Sequence, residues 1–201
     1  MTTTLFTNAH IATGEPGSTA ASTLPLQDIL VTDGVFTAFG PGLAQQYEAQ
    51  GGDLAAIEVV DLGGKLVCPP FCDTHLHLDY VFTARKPGAV NESGTLFEGI
   101  QRWSETKSDL TVDEIKQRAK IGIKKEMLHG VQLIRSHADV TDPNLTSLKA
   151  LLELKEELKD TVTLQIVSFP QEGMYSYEGP HGESGAELVE EGLKMGADCV
   201  G

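Results

Sequence analysis

Leu66-Val-Cys-Pro-Pro-Phe-Cys-Asp-Thr-His-Leu-His-Leu-Asp79 is the stretch whose reading decides the fold. It begins as an apolar run, passes two prolines and ends in two histidines one residue apart. Strand side chains alternate between faces, so His75 and His77 are expected to project the same way and present two neutral imidazoles to one ion. Imidazole serves Zn, Fe, Cu and Ni alike, so the pair by itself selects no metal. A bare His-x-His also occurs as two ordinary half-buried histidines. The setting favours metal: the pair closes a strand-like run, Asp73 has the same parity, and a long βα pattern follows.

Upstream, residues 1–65 read as a small β-rich subdomain. Thr4–Ala12 carries β-favouring residues, and Thr13–Thr23 is a polar Gly/Pro/Ser loop. Leu26–Val31 and Val35–Phe39 form a hairpin around Thr32-Asp33-Gly34, a strong turn signal. Ala44–Ala55 reads as a short helix and a loop, and Ile57–Val60 as another strand before the Asp61-Leu-Gly-Gly64 turn. No chemistry is evident in this part.

Downstream, residues 66–201 alternate strands and helices. Tyr80–Gly94 is a polar loop. Phe97, Ile100 and Trp103 fall at helical spacing within Leu96–Glu105. Thr111 and Glu114 form a capping box for a helix with Ile115, Ala119, Ile123 and Met127 on one stripe, and Gly130 fits its stop. Val131–Val140 is a strand. Asp142 or Asn144 opens a helix that buries Leu145, Leu148, Leu152 and Leu158. Val162–Phe169 is a third strand, Ala186–Met195 a further amphipathic helix, and Asp198–Gly201 the opening of another strand. Such alternation predicts a parallel sheet with right-handed crossovers. A (β/α)8 barrel needs eight βα units and about 250 residues. Three units and part of a fourth therefore point to the N-terminal half of a barrel in a truncated chain.

Composition sets the bounds. A formal net charge of −14 argues against nucleic acid, whose phosphates need clustered Lys and Arg, and against an anionic membrane surface. No stretch has the length of a transmembrane helix. The first residues lack the basic region and apolar core of a signal peptide, so a cytoplasmic protein is expected. Cys68, Cys72 and Cys199 are too sparse for a disulfide framework and read as small apolar residues.

Active sites of βα barrels sit at the C-terminal ends of the strands. Three places meet that test. The first is Asp73, His75 and His77. The second is Arg135-Ser-His137-Ala-Asp139, three polar residues of one parity, read as a hydrogen-bonded polar interior rather than as ligands. The third is Phe169-Pro-Gln-Glu-Gly173, where Gln171 lies just past a strand end and can meet an amide edge.

The run Pro70-Phe-Cys-Asp-Thr-His-Leu-His77 resembles the signature of the metal-dependent amidohydrolase superfamily. Together with Ser93-Gly-Thr-Leu-Phe-Glu-Gly-Ile-Gln-Arg-Trp103, the Arg135–Val140 strand and Leu164-Gln-Ile-Val-Ser-Phe-Pro-Gln-Glu-Gly173, it is similar to the bacterial cytosine deaminases of the amidohydrolase type. The likeness runs from about Leu66 to Gly201 and is weak before it. It implies a divalent ion (Fe or Zn) on His75 and His77, and a pyrimidine read by Gln171 in a pocket lined by Leu96. The family's remaining metal ligands and its acid/base Glu are expected beyond Gly201, so no catalytic acid or base falls in these residues, and 1–201 alone is expected to be inactive. The implied reaction is hydrolysis of cytosine to uracil and ammonia, in pyrimidine salvage. The alternatives are another cyclic amide or aminated ring (creatinine, isocytosine, an aminotriazine), or a non-catalytic truncated fragment. The expected partner is a small cytosine-like ring, with neither nucleic acid nor membrane and with a homo-oligomer left open.

Overall fold

Asp33 and Gly34 both have positive φ (50° and 77°), which gives the left-handed two-residue turn that suits a tight hairpin. They join β2 (Leu26–Thr32) to β3 (Val35–Gly40), with Thr32 opposite Val35. In this computed structural model residues 2–12, 24–142 and 144–201 are described; the loop read over Thr13–Thr23 lies outside them. The chain divides into two units, Met1–Pro69 and Pro70–Gly201.

In the first unit β1 (Thr3–Ile11) is central. It pairs antiparallel with β2, and parallel with β4 (Glu58–Asp61) and β5 (Leu66–Val67). Helix α1 (Leu43–Ala49) follows β3, and a 3-10 turn spans Leu54–Ala56. Among the described residues, Leu5, Ala9, Ile29 and Leu43 are the buried apolar ones here. Asp28 ties the unit together, accepting the Asn8 and Leu43 amides at 3.1 and 2.9 Å.

The second unit holds the parallel sheet β6-β7-β8-β9. Its strands are β6 (Phe71–Leu76), β7 (Val131–Asp139), β8 (Thr163–Phe169) and β9 (Cys199–Val200). Between them lie α2 (Leu96–Lys107), α3 (Val112–Leu128), α4 (Thr146–Glu157) and α5 (Gly185–Met195). This is the α/β order expected, with one correction. Leu66–His77 is not one strand: Leu66–Val67 belongs to the first sheet and Phe71–Leu76 to the second. Pro69 and Pro70 fall between them and have no N–H to give to either ladder.

Helix starts follow the sequence closely. Thr111 Oγ accepts the Glu114 amide at 3.2 Å, and Ser184 with Glu187 forms a full reciprocal capping box on α5. Asp142 organises the start of α4, taking the Asn144 and Thr146 amides at 3.0 and 2.9 Å, although the residue at the helix boundary is Leu145 with φ 51°. The buried stripe of α4 is Leu148, Leu151 and Leu154 beside Leu145; Leu152 and Leu158, expected in it, are only partly buried. These leucines pack with Ile134, Leu164 and Ile166 of the sheet and with Ile115, Ala119 and Ile123 of α3. Burying each such side chain is worth about 1.5–3 kcal/mol. Gly192 lets α5 press onto β8, since a Cβ there would lie 2.5 Å from Ser168 Oγ. The helices thus cover the sheet face bearing Ile134, Ser136 and Ala138, and the alternate positions Arg135, His137 and Asp139 face the other way. Among the described residues no helix is long and apolar enough to cross a membrane.

Candidate active site

The site forms where β6, β7 and β8 end. Strand register brings Leu76 opposite Ser136 and Asp139 opposite Phe169, so the C-terminal ends lie side by side. Between Asp73 and Leu76, β6 has one residue more than β7 has between Ile134 and Ser136. Such a bulge re-aims side chains. It breaks the simple alternation read from the sequence: Asp73 turns back to accept the His75 amide at 3.0 Å and stands outside the histidine cluster. His77 lies one residue past β6, and the segment after it is held firmly. Leu78 is fully buried and its amide donates to Ser136 Oγ at 3.0 Å. Arg118 of α3 donates to the carbonyls of Asp79 and Val81.

His75 Nε2 and His77 Nε2 lie 3.3 Å apart. A third imidazole joins them: His137 stacks on His75 with centroids 4.1 Å apart, and ligand atoms of all three lie within 4.8 Å of one another. The expectation that His137 belongs to a hydrogen-bonded polar interior is therefore corrected, because its Nδ1 and that of His77 are buried without a hydrogen-bond partner among the described residues. Arg135 instead donates to Gln165 at 2.5 Å. Burial, reinforced by His137 and His75, lowers the pKa of His77 to about 4. Burial and His75 lower that of His137 too. Both rings are then neutral at pH 7, as metal ligation requires. Crowded neutral imidazoles with unpartnered ring nitrogens fit a divalent ion.

A cleft of about 760 Å³ opens beside the cluster. His75, His77, Leu96 and Gln171 all line it, with Tyr80, Phe82, Asn91, Ile100, Trp103 and Phe169. The Tyr80–Gly94 segment, read as a polar loop, thus supplies one wall, including a 3-10 turn at Thr83–Arg85. Helix α2 supplies another. Its expected apolar spacing holds for Trp103, which is buried, but Phe97 is 83% exposed and Leu96 74% exposed. Thr95 caps α2 by accepting the Glu98 amide, and the Glu98 carboxylate accepts the Glu92 and Ser93 amides in return. Tyr80 lies between His77 and Trp103, stacked on the first with centroids 4.6 Å apart and tilted against the second at 4.7 Å. Burial, then Asp79, raises its phenol pKa, so the hydroxyl stays protonated.

Behind this wall lies a buried polar network absent from the sequence reading apart from Asp139. Asp139 Oδ2 accepts the Trp103 indole N–H at 2.7 Å and the Lys107 ammonium at 3.0 Å. Its Oδ1 accepts the Thr141 amide and hydroxyl. Fully buried Asp79 accepts the Asp139 amide at 2.9 Å, and burial lifts its pKa to about 7. His137 had a signal in the sequence, its parity at a strand end; Lys107 and Glu172 had none, being ordinary charges on a helix and a loop.

Residues 58–195 match the Amidohydrolase family. N-isopropylammelide isopropyl amidohydrolase of Pseudomonas sp. (strain ADP) is 35% identical over 146 residues, which are 71% of this chain and 35% of that protein. Pterin deaminase of Rhizobium rhizogenes (strain K84 / ATCC BAA-868) is 27% identical over 73% of this chain and 32% of its own length. Among solved structures, 5-methylcytosine deaminase from Klebsiella pneumoniae, liganded with 5-fluorocytosine, superposes with a TM-score of 0.78 at 39% identity, over 98% of this chain and 42% of that one. The chain thus spans about a third of the curated relatives and under half of that structure.

Proposed function

The chain belongs to the amidohydrolase family, and from that premise we propose that the protein is a metal-dependent hydrolase that removes an amine from a cytosine-like ring, cytosine to uracil and ammonia being the first choice. The observation that carries the reading is the convergence of His75, His77, Leu96 and Gln171 on one cleft. His75 and His77 would hold the ion, with His137 close enough to share in its shell. A divalent ion held there, Fe or Zn, would supply hydroxide near neutral pH by lowering the pKa of a water.

The chain's own residues then have defined tasks. The Gln171 amide offers both a donor and an acceptor, which matches the carbonyl and N–H edge of a pyrimidine. Leu96, Ile100 and Phe169 give the ring apolar contact and limit water around it. Tyr80 packs against His77 and fixes its ring plane. The relatives' names support amine removal from nitrogen heterocycles: one is a deaminase of 5-methylcytosine, another of a pterin, and a third acts on N-isopropylammelide. The last supports a second reading, hydrolysis at an alkylamino-triazine in the same cleft. A soluble partner ring, rather than nucleic acid, accords with the net charge of −14.

The test is release of ammonia or alkylamine from the zinc- or iron-loaded protein at full length, with cytosine, 5-methylcytosine, isocytosine, creatinine and an alkylamino-triazine. Turnover should be highest for a cytosine, and Gln171→Ala should cut kcat/KM by about 100-fold, since a buried polar edge is left unpaired. Turnover confined to the triazine would favour the second reading, and equal kinetics for Gln171→Ala would remove Gln171 from the site.

A further inference from the structure

Lys107 lies at the far end of α2 from the cleft mouth and is only 9% exposed. Its ammonium sits 3.0 Å from Asp139 Oδ2, 3.0 Å from Thr141 Oγ and 2.5 Å from Glu172 Oε1. Ser104, one helical turn before it, also donates to Glu172 Oε1. A single buried cation thus joins three separate segments: α2, the end of β7, and the loop after β8. These are the segments that carry Leu96, His137 and Gln171.

Burying such charges costs several kcal/mol of desolvation, and their mutual attraction often does no more than offset it. Apolar packing would hold α2 against the sheet at least as well. What apolar packing lacks is fixed distance, because a charge-assisted hydrogen bond is short and directional. Gln171 is followed immediately by Glu172. Beyond its own short bonds, Gly173 N–H to Pro170 O at 2.9 Å and Ser176 Oγ to Glu172 O at 3.0 Å, the loop is tied to α5 by the Ala186 N–H to Met174 O at 2.9 Å, and Met174 and Tyr177 pack against the core. None of these ties fixes its distance from α2. The Glu172 carboxylate therefore anchors the loop to α2, whose Leu96 and Ile100 form the facing wall.

We propose that the Lys107–Glu172 pair, braced on Asp139, is a positioning device that sets the gap between Gln171 and the α2 wall, and so selects the ring that the cleft admits. The proposal rests on the reading of Gln171 as the residue that meets the ring edge. Lys107 and Glu172 touch no substrate in it and act through Gln171.

Glu172→Gln is the informative variant, because it keeps the size and one acceptor of the side chain while removing its charge and turning the other oxygen into a donor. The test is a double-mutant cycle with Gln171→Ala on the metal-loaded protein at full length. Glu172→Gln alone should raise KM for cytosine about tenfold, with kcat changed less than about threefold. In the Gln171→Ala background it should add little, since two residues acting as a unit are not additive. Trp103, whose indole N–H donates to Asp139 Oδ2 beside the clamp, gives a readout that needs no turnover. Its acrylamide quenching should rise in Glu172→Gln, because the clamp beside it has loosened. Additive effects on KM, or unchanged KM and quenching in Glu172→Gln, would overturn the positioning role. If Gln171→Ala leaves every ring's kinetics intact while the quenching of Glu172→Gln rises, the reading of Gln171 has failed and the clamp has not.

Discussion

Replacing Asp139 with Asn should cost stability out of proportion to the change of one atom. Asp139 is fully buried and each oxygen takes two donors: Oδ2 the Trp103 indole and Lys107, Oδ1 the Thr141 amide and hydroxyl. An Asn amide has one acceptor oxygen and one donor NH2. With its oxygen toward Thr141, the NH2 meets the Trp103 N–H and the Lys107 ammonium. Turned over, the NH2 meets the Thr141 amide at a distance where the carboxylate accepts at 2.8 Å. Either way a buried donor loses its partner, at about 1–3 kcal/mol. Breaking one side of a buried ion pair costs about 3–5 kcal/mol, and Glu172 remains beside Lys107 to limit it. These two terms overlap, so the expected loss is about 3–5 kcal/mol, a large share of the ~5–15 kcal/mol that holds a domain folded. Urea unfolding followed by circular dichroism reads this directly. The midpoint should fall by about 1 M or more with the slope m unchanged. Adding Lys107→Met should then cost less in the Asp139→Asn background than alone. A loss below about 1 kcal/mol with unchanged m would refute the account of the network.

Zinc titration of His75→Ala and of His77→Ala should show affinity lost beyond the roughly 10–100-fold that a mere supporting partner contributes, with circular dichroism unchanged; retained affinity in either would take that residue out of the ligand set. Leu151→Ala removes a fully buried side chain of α4 and should destabilise by about 2–5 kcal/mol, read as a lower urea midpoint. The Glu98 carboxylate is held down to about 2 by the Ser93 hydroxyl and the Ser93 and Glu92 amides. Its folded pKa is depressed, so the cap at the start of α2 is fully formed above the ordinary value of 4.5 and lost as pH falls through about 2. Amide NMR shifts of Glu92 and Ser93 should titrate near pH 2; a midpoint near 4.5 would show that the cap is not formed.

Most of what the sequence determined by itself is local. Two consecutive positive-φ residues at Asp33-Gly34 close a hairpin, a Thr111 hydroxyl takes the amide of Glu114 three residues on, and leucines at helical spacing make α4 amphipathic. Each rests on neighbours within one or two turns, so periodicity and turn chemistry suffice, and the alternation of strands with helices sets the α/β class. Tertiary structure decided the rest. The bulge that turns Asp73 away from the histidines is a mismatch between β6 and β7, which neither strand reveals alone. Phe97 and Trp103 share an apolar pattern, yet one is exposed and the other buried, because pattern marks a stripe but not what packs on it. His137 reaches His75 only through the pairing of β6 with β7. Lys107 meets Asp139 and Glu172 across 32 and 65 positions of chain. A lysine carries no local sign of its partners: its charge is solvated by default, and only the folding of three segments around it removes the water and makes the ammonium a fixed point.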